Sequence, residues 1–130
     1  MKKINRIKMI LLSFSLFIPF CGCGQSNNIP SINVAELDSL MQTDSTLVIL
    51  DVRMPSELIG PLGQIPHVIN IPVQELESRI DELEKHKANF IAVICRSGNR
   101  SRTATKILIQ NGYTAKNVLG GMIDYNNRTK

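Results

Sequence analysis

The chain predicts an α/β domain with a mostly parallel sheet and helices on both faces. Three observations carry this. Two short apolar runs, Leu47-Val48-Ile49-Leu50 and Phe90 to Ile94, show no polar alternation, as strands buried on both faces do. Stretches with apolar residues at helical spacing lie between and beyond them. Strand-like and helix-like segments therefore alternate along the chain, the pattern of parallel sheets joined by crossovers.

The first 23 residues stand apart from that pattern. Residues 1–8, MKKINRIK, carry four positive charges and no negative one, and residues 9–20, MILLSFSLFIPF, are almost wholly apolar. A basic segment, a short apolar segment and small residues make a secretory signal. The apolar run falls short of the ~20 residues of a membrane span. With Cys21-Gly22-Cys23-Gly24 at its end, the segment resembles a bacterial lipoprotein signal, in which a Cys becomes the acylated N-terminus. Cys23 suits this better than Cys21, because small Gly22 precedes it whereas bulky Phe20 precedes Cys21. Phe20, three positions before Cys23, departs from the aliphatic residue usual there. An uncleaved anchor helix or a plain signal peptide is the alternative. The expectation is a signal over 1–23, a flexible polar tether over 24–30 and a folded domain over 31–130. The protein would then be a membrane-anchored lipoprotein of the cell envelope facing the periplasm.

Processing also changes the charge. The whole chain is formally +4. Loss of residues 1–22 removes Lys2, Lys3, Arg6 and Lys8 and leaves 11 basic and 11 acidic residues. The basic balance belongs to the leader and gives no argument for nucleic-acid binding. Cys95 is the one cysteine beyond the leader, so the domain has no disulfide framework. His67 and His86 are isolated, without metal-ligand spacing. No metal or cofactor is expected.

The domain is expected to open with a helix. Asn33 can cap it, Glu36 can complete a capping box, and Ile32 and Leu37 can form a hydrophobic staple. Val34, Leu37 and Met41 are its expected buried face. After a turn at Asp44-Ser45, the strand Leu47–Leu50 leads into Asp51-Val52-Arg53. Residues 54–72 hold four of the six prolines, which predicts a long ordered loop with a helical turn at Ser56–Ile59 and a short strand at Val68–Ile71. Val73, Leu76, Ile80 and Leu83 predict a helix, with Glu75 and Arg79 paired four apart.

The chain is organised around residues 90–111. Strand Phe90–Ile94 runs into Cys95, then Arg96-Ser97-Gly98-Asn99-Arg100, then a helix from Ser101 that stops at Asn111-Gly112. Open α/β sheets bind ligands at this end of their strands. Successive loop amides can form an anion-binding nest, and the first helical turn presents unpaired N–H groups. Gly98 allows the backbone to turn, and Arg96, Arg100 and Arg102 add positive charge. These features favour the thiolate, the reactive form of cysteine. Lys116–Leu119 follows as a strand, and a helical turn begins at Gly120-Gly121-Met122.

These pieces, in order, resemble the single-domain rhodanese-like sulfurtransferases over residues 31 to about 125. The matching residues are Asp51-Val52-Arg53 with Pro55 and Glu57, Gly63-x-Ile65-Pro66 with Asn70-Ile71-Pro72, Cys95 to Ser101, and Asn117-Val118-x-Gly120-Gly121. The resemblance implies a sheet of about five strands and a Cys95 that carries sulfur as a persulfide. It implies small donors such as thiosulfate and acceptors such as cyanide or thiols, with a protein acceptor a further candidate. The cradle would be Arg96, Ser97, Gly98, Asn99, Arg100 and Ser101, with Arg96 and Arg100 attracting anions. Asp51, Arg53 and Glu57 would give structural support. Two departures stand out. Gly63-Gln64-Ile65-Pro66-His67-Val68 replaces the usual Gly-His-Ile-Pro-Gly-Ala, and Tyr125 stands in for a common Trp.

Two other classes use related features. Cysteine phosphatases and arsenate reductases place Arg after Cys and five residues. Here Arg100 comes after four, and Ser101 stands where the phosphatase Arg would be. A non-catalytic rhodanese-like binding domain is the third class; such domains tend to lose the cysteine, which this chain keeps.

Overall fold

The computed structural model describes residues 28–129. The expected signal segment, Cys21, Cys23, most of the tether and Lys130 lie outside the described residues. Five strands form one wholly parallel sheet: β1 (Ser31–Ile32), β2 (Val48–Asp51), β3 (Ile69–Asn70), β4 (Phe90–Ile94) and β5 (Thr114–Val118). Their spatial order is β1-β5-β4-β2-β3. Four helices accompany them: α1 (Val34–Thr43), α2 (Pro55–Leu58), α3 (Asn99–Gln110) and α4 (Gly121–Arg128).

Side chains alternate across a strand, so a strand in the middle of a sheet feeds two cores. On β4, Ile91 and Val93 point to one core and Ala92 and Ile94 to the other. On β2, Val48 and Leu50 join the first core and Ile49 the second. The first core is covered by Leu76, Leu83, Ala104 and Leu108, the second by Val34, Leu37 and Met122. One face is thus roofed by α3 and the 73–86 segment, the other by α1 and α4. This is why the apolar runs lack alternation.

Helix α1 forms as its cap predicts. Glu36 N donates to Asn33 Oδ1 at 2.9 Å, and Asn33 N to Glu36 Oε2 at 2.7 Å. Ile32 and Leu37 share a core, but Met41 is exposed, and Leu40 takes the inward position instead. A helix advances 100° per residue, so the inward stripe can pass through 40 as well as 41. Residues 80–86 form a 3-10 helix rather than the expected α-helix. The 3,4,3 spacing of Val73, Leu76, Ile80 and Leu83 suits an α-helix, but only Ile80 and Leu83 fall within 80–86, and three residues apart they share a face of a 3-10 turn as well. The 3-10 form rises ~2.0 Å per residue against ~1.5 Å, so residues 80–86 reach further while Leu83 stays fully buried.

Strand β1 falls on residues expected only to precede the first helix. It is two residues long, held at the sheet edge by β5. Pro30 already takes part, since its carbonyl accepts from Asn117 N at 2.9 Å. Pro30, assigned by the sequence to the tether, is therefore hydrogen-bonded to the sheet. At the other end, the helical turn begun at Gly120-Gly121-Met122 extends as α4 to Arg128, whose Nε meets Asp38 Oδ2 of α1 at 2.7 Å.

Candidate functional site

Strands β2 and β4 are neighbours in the sheet but not in the chain. The chain leaves β2 toward the β3 edge and leaves β4 toward β5. That reversal opens a crevice at the strands' carboxyl ends, where α/β sheets hold ligands. Asp51 and Ile94 are paired at these ends, and Val52 N donates to Ile94 O at 2.9 Å. Cys95 is the next residue after β4. Following Ile91 and Val93 on the same face, it points toward α3, and it is 1% exposed.

The loop then turns around the sulfur. Gly98 has φ +99°, a conformation that L side chains rarely adopt, and a Cβ there would just touch Val118 O and Gly120 N. With that turn, Gly98 N donates to Cys95 Sγ at 3.1 Å, and Ser101 Oγ lies 3.2 Å from the same sulfur. Helix α3 has no side-chain cap at Gly98. The sulfur stands where a cap oxygen would, facing the unpaired amides of the first turn. Burial pushes the Cys95 thiol up. The hydroxyl of Ser101 and the amides of Ser101, Gly98 and Ser97 more than offset it, and the net shift is downward. Of the loop amides expected to form a nest, that of Gly98 is turned directly onto the sulfur.

The second support comes from below the loop. Met122 N donates to Cys95 O at 2.8 Å, and Ile123 N to Arg96 O at 3.0 Å, so the first turn of α4 carries the loop backbone. The approach leaves no room for a side chain at Gly121. A Cβ there would come within 2.7 Å of Arg96 C and O, and closer still to Cys95 O.

The third support is ionic. Arg53 is fully buried and binds Asp51, with Nη2 2.6 Å and Nε 3.0 Å from Oδ2. It also donates to the carbonyls of Glu57 at 3.3 Å and Gly63 at 2.8 Å, tying the long loop to the end of β2. Asn70 Nδ2 reaches Asp51 O and Arg53 O, both at 2.9 Å. Glu57 meets Arg100 in a two-pronged pair of 2.7 and 2.8 Å, and accepts from Met54 N at 3.0 Å. The Arg100 hydrogen bonds hold the Glu57 carboxyl down at about 2, against its burial.

The site therefore gathers every residue expected there, but not always in the expected part. Asp51, Arg53 and Glu57 are structural supports. Arg100 differs from the expectation of an anion-attracting side chain: its guanidinium is occupied by Glu57 and fastens α3 to α2. An Arg fork matches a carboxylate geometrically, and a nearby carboxylate captures it. Arg96, Ser97 and Asn99 are exposed, and Ser101 is buried beside the sulfur. Asn117 was visible only as part of a motif, yet its Oδ1 lies 2.6 Å from Ser101 Oγ. Its signal was the period of two: Asn117 shares the inward face of Ala115, so a buried amide needed a partner on α3. Among the described residues no group of His, Cys, Asp and Glu could hold a metal ion.

A buried thiol, with hydrogen-bond donors turned onto it that favour its ionised form, thus lies at the carboxyl edge of a parallel sheet. The family model for the rhodanese-like domain matches residues 33–128. The chain belongs to that family. It is similar to "Putative sulfurtransferase YtwF" of Bacillus subtilis, at 33% identity over 78% of this chain and 95% of that protein. A sulfurtransferase of Allochromatium vinosum is 33% identical over 71% of this chain and 86% of its own. The crystal structure of a rhodanese-related protein from Thermoplasma volcanium superposes with a TM-score of 0.68 at 38% identity, covering 76% of this chain and 92% of the other. At the level of the family, the activity is rhodanese-type sulfur transfer.

Proposed function

We propose that this protein moves sulfane sulfur from a small donor such as thiosulfate to a thiophilic acceptor, with Cys95 as the carrier. The observation that carries the reading is the Cys95 sulfur itself, held by Gly98 N at 3.1 Å and Ser101 Oγ at 3.2 Å at the start of an uncapped helix. In the first half-reaction the Cys95 thiolate attacks the outer sulfur of thiosulfate. A new S–S bond forms, the donor's S–S bond breaks, and sulfite leaves with its electron pair. Ser97, Gly98, Asn99, Arg100 and Ser101 then cradle the negative outer sulfur through the loop backbone, as an oxyanion hole holds oxygen. Arg96, exposed beside the thiol, draws in the donor anion. In the second half-reaction cyanide, a thiol or a protein acceptor attacks the outer sulfur, takes it, and leaves the thiolate restored. No cofactor enters either step.

The phosphatase alternative needs a wider loop. Here Arg100, one residue short of the phosphatase position, is engaged by Glu57. We also propose that the domain works in the bacterial envelope, tethered by a lipid on Cys23. The reading rests on the basic, apolar and small-residue order of residues 1–23.

The test is the mass of the protein. Thiosulfate should add one sulfur atom to Cys95, and cyanide should remove it as thiocyanate. Cys95→Ser should abolish both, because a serine hydroxyl is not ionised at neutral pH. Cys95-dependent hydrolysis of an aryl phosphate, with no sulfur adduct from any donor, would replace this reading with the phosphatase one.

A further inference from the structure

Ser101 Oγ stands between two acceptors, with Asn117 Oδ1 at 2.6 Å and Cys95 Sγ at 3.2 Å. A serine hydroxyl carries a single proton and can give it to only one of them at a time. All three side chains are buried: Ser101 is fully so, Cys95 is 1% exposed and Asn117 3%. Bulk water is not at hand to supply a second donor. The 2.6 Å contact lies at the short end for O–H to oxygen, so Asn117 is a strong competitor for that proton.

We propose that Asn117 is a positioning residue that competes with Cys95 for the one Ser101 proton and thereby raises the cost of forming the thiolate. With a neutral thiol, Ser101 donates to Asn117 and the thiol S–H points to the vacant lone pair of Ser101 Oγ. When the thiol loses its proton, Ser101 swings to the sulfur and the Asn117 oxygen gives up its donor. When sulfur is loaded, the negative charge moves out to the terminal atom, the inner sulfur no longer needs the donor, and Ser101 returns to Asn117. Ionisation of the thiol therefore costs the Ser101–Asn117 hydrogen bond, and the thiolate that forms is more basic, hence intrinsically more nucleophilic, than it would be without the amide. The fold provides this directly. Ser101 lies on the buried stripe of α3 with Ala104, Thr105 and Leu108, and β5 places Asn117 opposite it.

This proposal rests on Cys95 being the sulfur carrier, but its test reads ionisation alone. The full chain, in mild detergent, is alkylated with iodoacetamide across a pH series, and modification is measured on the peptide that holds Cys95. The charged groups on the elements around the thiol are Asp51, Arg53, Glu57 and Arg96, with Arg100, Arg102 and Lys106 on α3, Lys116 on β5, and Asp124 and Arg128 on α4. All are unchanged in the variants, so their influence cancels. Asn117→Leu removes the competing acceptor and should lower the pH midpoint by about one unit. Ser101→Ala removes the donor and should raise it. In the Ser101→Ala background, Asn117→Leu should move the midpoint no further. A midpoint that Asn117→Leu leaves unchanged or raises, or a shift that persists without Ser101, overturns the proposal. If Asn117→Leu does not fold, the Asn117 side-chain amide NMR resonance serves instead. It should titrate with the Cys95 midpoint in the parent protein and lose that titration in Ser101→Ala; a resonance that ignores Cys95, or follows it without Ser101, refutes the competition.

Discussion

Substituting Gly121 by alanine should damage this protein far more than the same change at Gly63. The two positions share nearly the same positive φ, +56° at Gly121 and +59° at Gly63, so each carries a comparable penalty for adding a Cβ. The left-handed region costs a residue with a Cβ about 1–2 kcal/mol, of which about 0.4–1 is offset by the stiffer unfolded chain. At Gly63 nothing lies within 4 Å of the added Cβ, so the change should cost about 1 kcal/mol or less. At Gly121 the Cβ meets the backbone of Cys95 and Arg96, within 2.7 Å of Arg96 C and O. Backbone atoms have no rotamer by which to escape. The loop and α4 must separate, weakening the Met122 N to Cys95 O and Ile123 N to Arg96 O hydrogen bonds. Overpacking adds about 1–3 kcal/mol, which brings the expected loss to about 3 kcal/mol. Because the displaced segment carries the sulfur, transfer from thiosulfate should fall about 100-fold, the usual consequence of moving a reacting atom by ~1 Å. Urea unfolding of parent, Gly63→Ala and Gly121→Ala measures the first quantity, and the rate of sulfur loading by mass measures the second. Equal destabilisation by the two substitutions, or parental loading in a destabilised Gly121→Ala, would refute the view that α4 supports the loop.

Three further outcomes are expected. The folded-state value of Glu57 is depressed to about 2, so its pairing with Arg100 stabilises the fold above the ordinary carboxylate range and is lost as pH falls from about 4.5 toward 2. Glu57→Gln should therefore lower stability at pH 7 by about 1–2 kcal/mol and flatten that acid decline, as read by urea midpoints at several pH values; an unchanged acid slope would contradict the pairing. A chain beginning at Ile29 contains all five strands and should unfold in a single cooperative transition in detergent-free buffer, whereas aggregation would imply that the leader packs on the domain. Cys23→Ser should block acylation and leave the precursor unprocessed by the lipoprotein pathway; lipid-free protein that begins at residue 23 in the parent would rule out the anchor.

What the sequence alone determined is the part of this protein written in local patterns. The two-face-buried strands expected at 47–50 and 90–94, the first observed one residue later at 48–51, the capping box at Asn33 and Glu36, the stop at Asn111-Gly112 and the thiol at a strand's end each depend on neighbours within about seven residues, and each was legible. So was the family, through ordered motifs. The tertiary structure decided the rest, because it concerns partners far apart in the chain. β1 is two residues long and exists only because β5 lies beside it. The choice between α and 3-10 geometry at 80–86 depends on the distance to be spanned, which the apolar spacing does not encode. Arg100 looked like an anion ligand beside Cys95 until Glu57, 43 positions away, took its guanidinium. Asn117 had no assigned part until the sheet set it against Ser101. Side-chain charge and polarity announce that a partner is needed, and only the folded chain, by bringing distant residues within 3 Å, decides which partner that is.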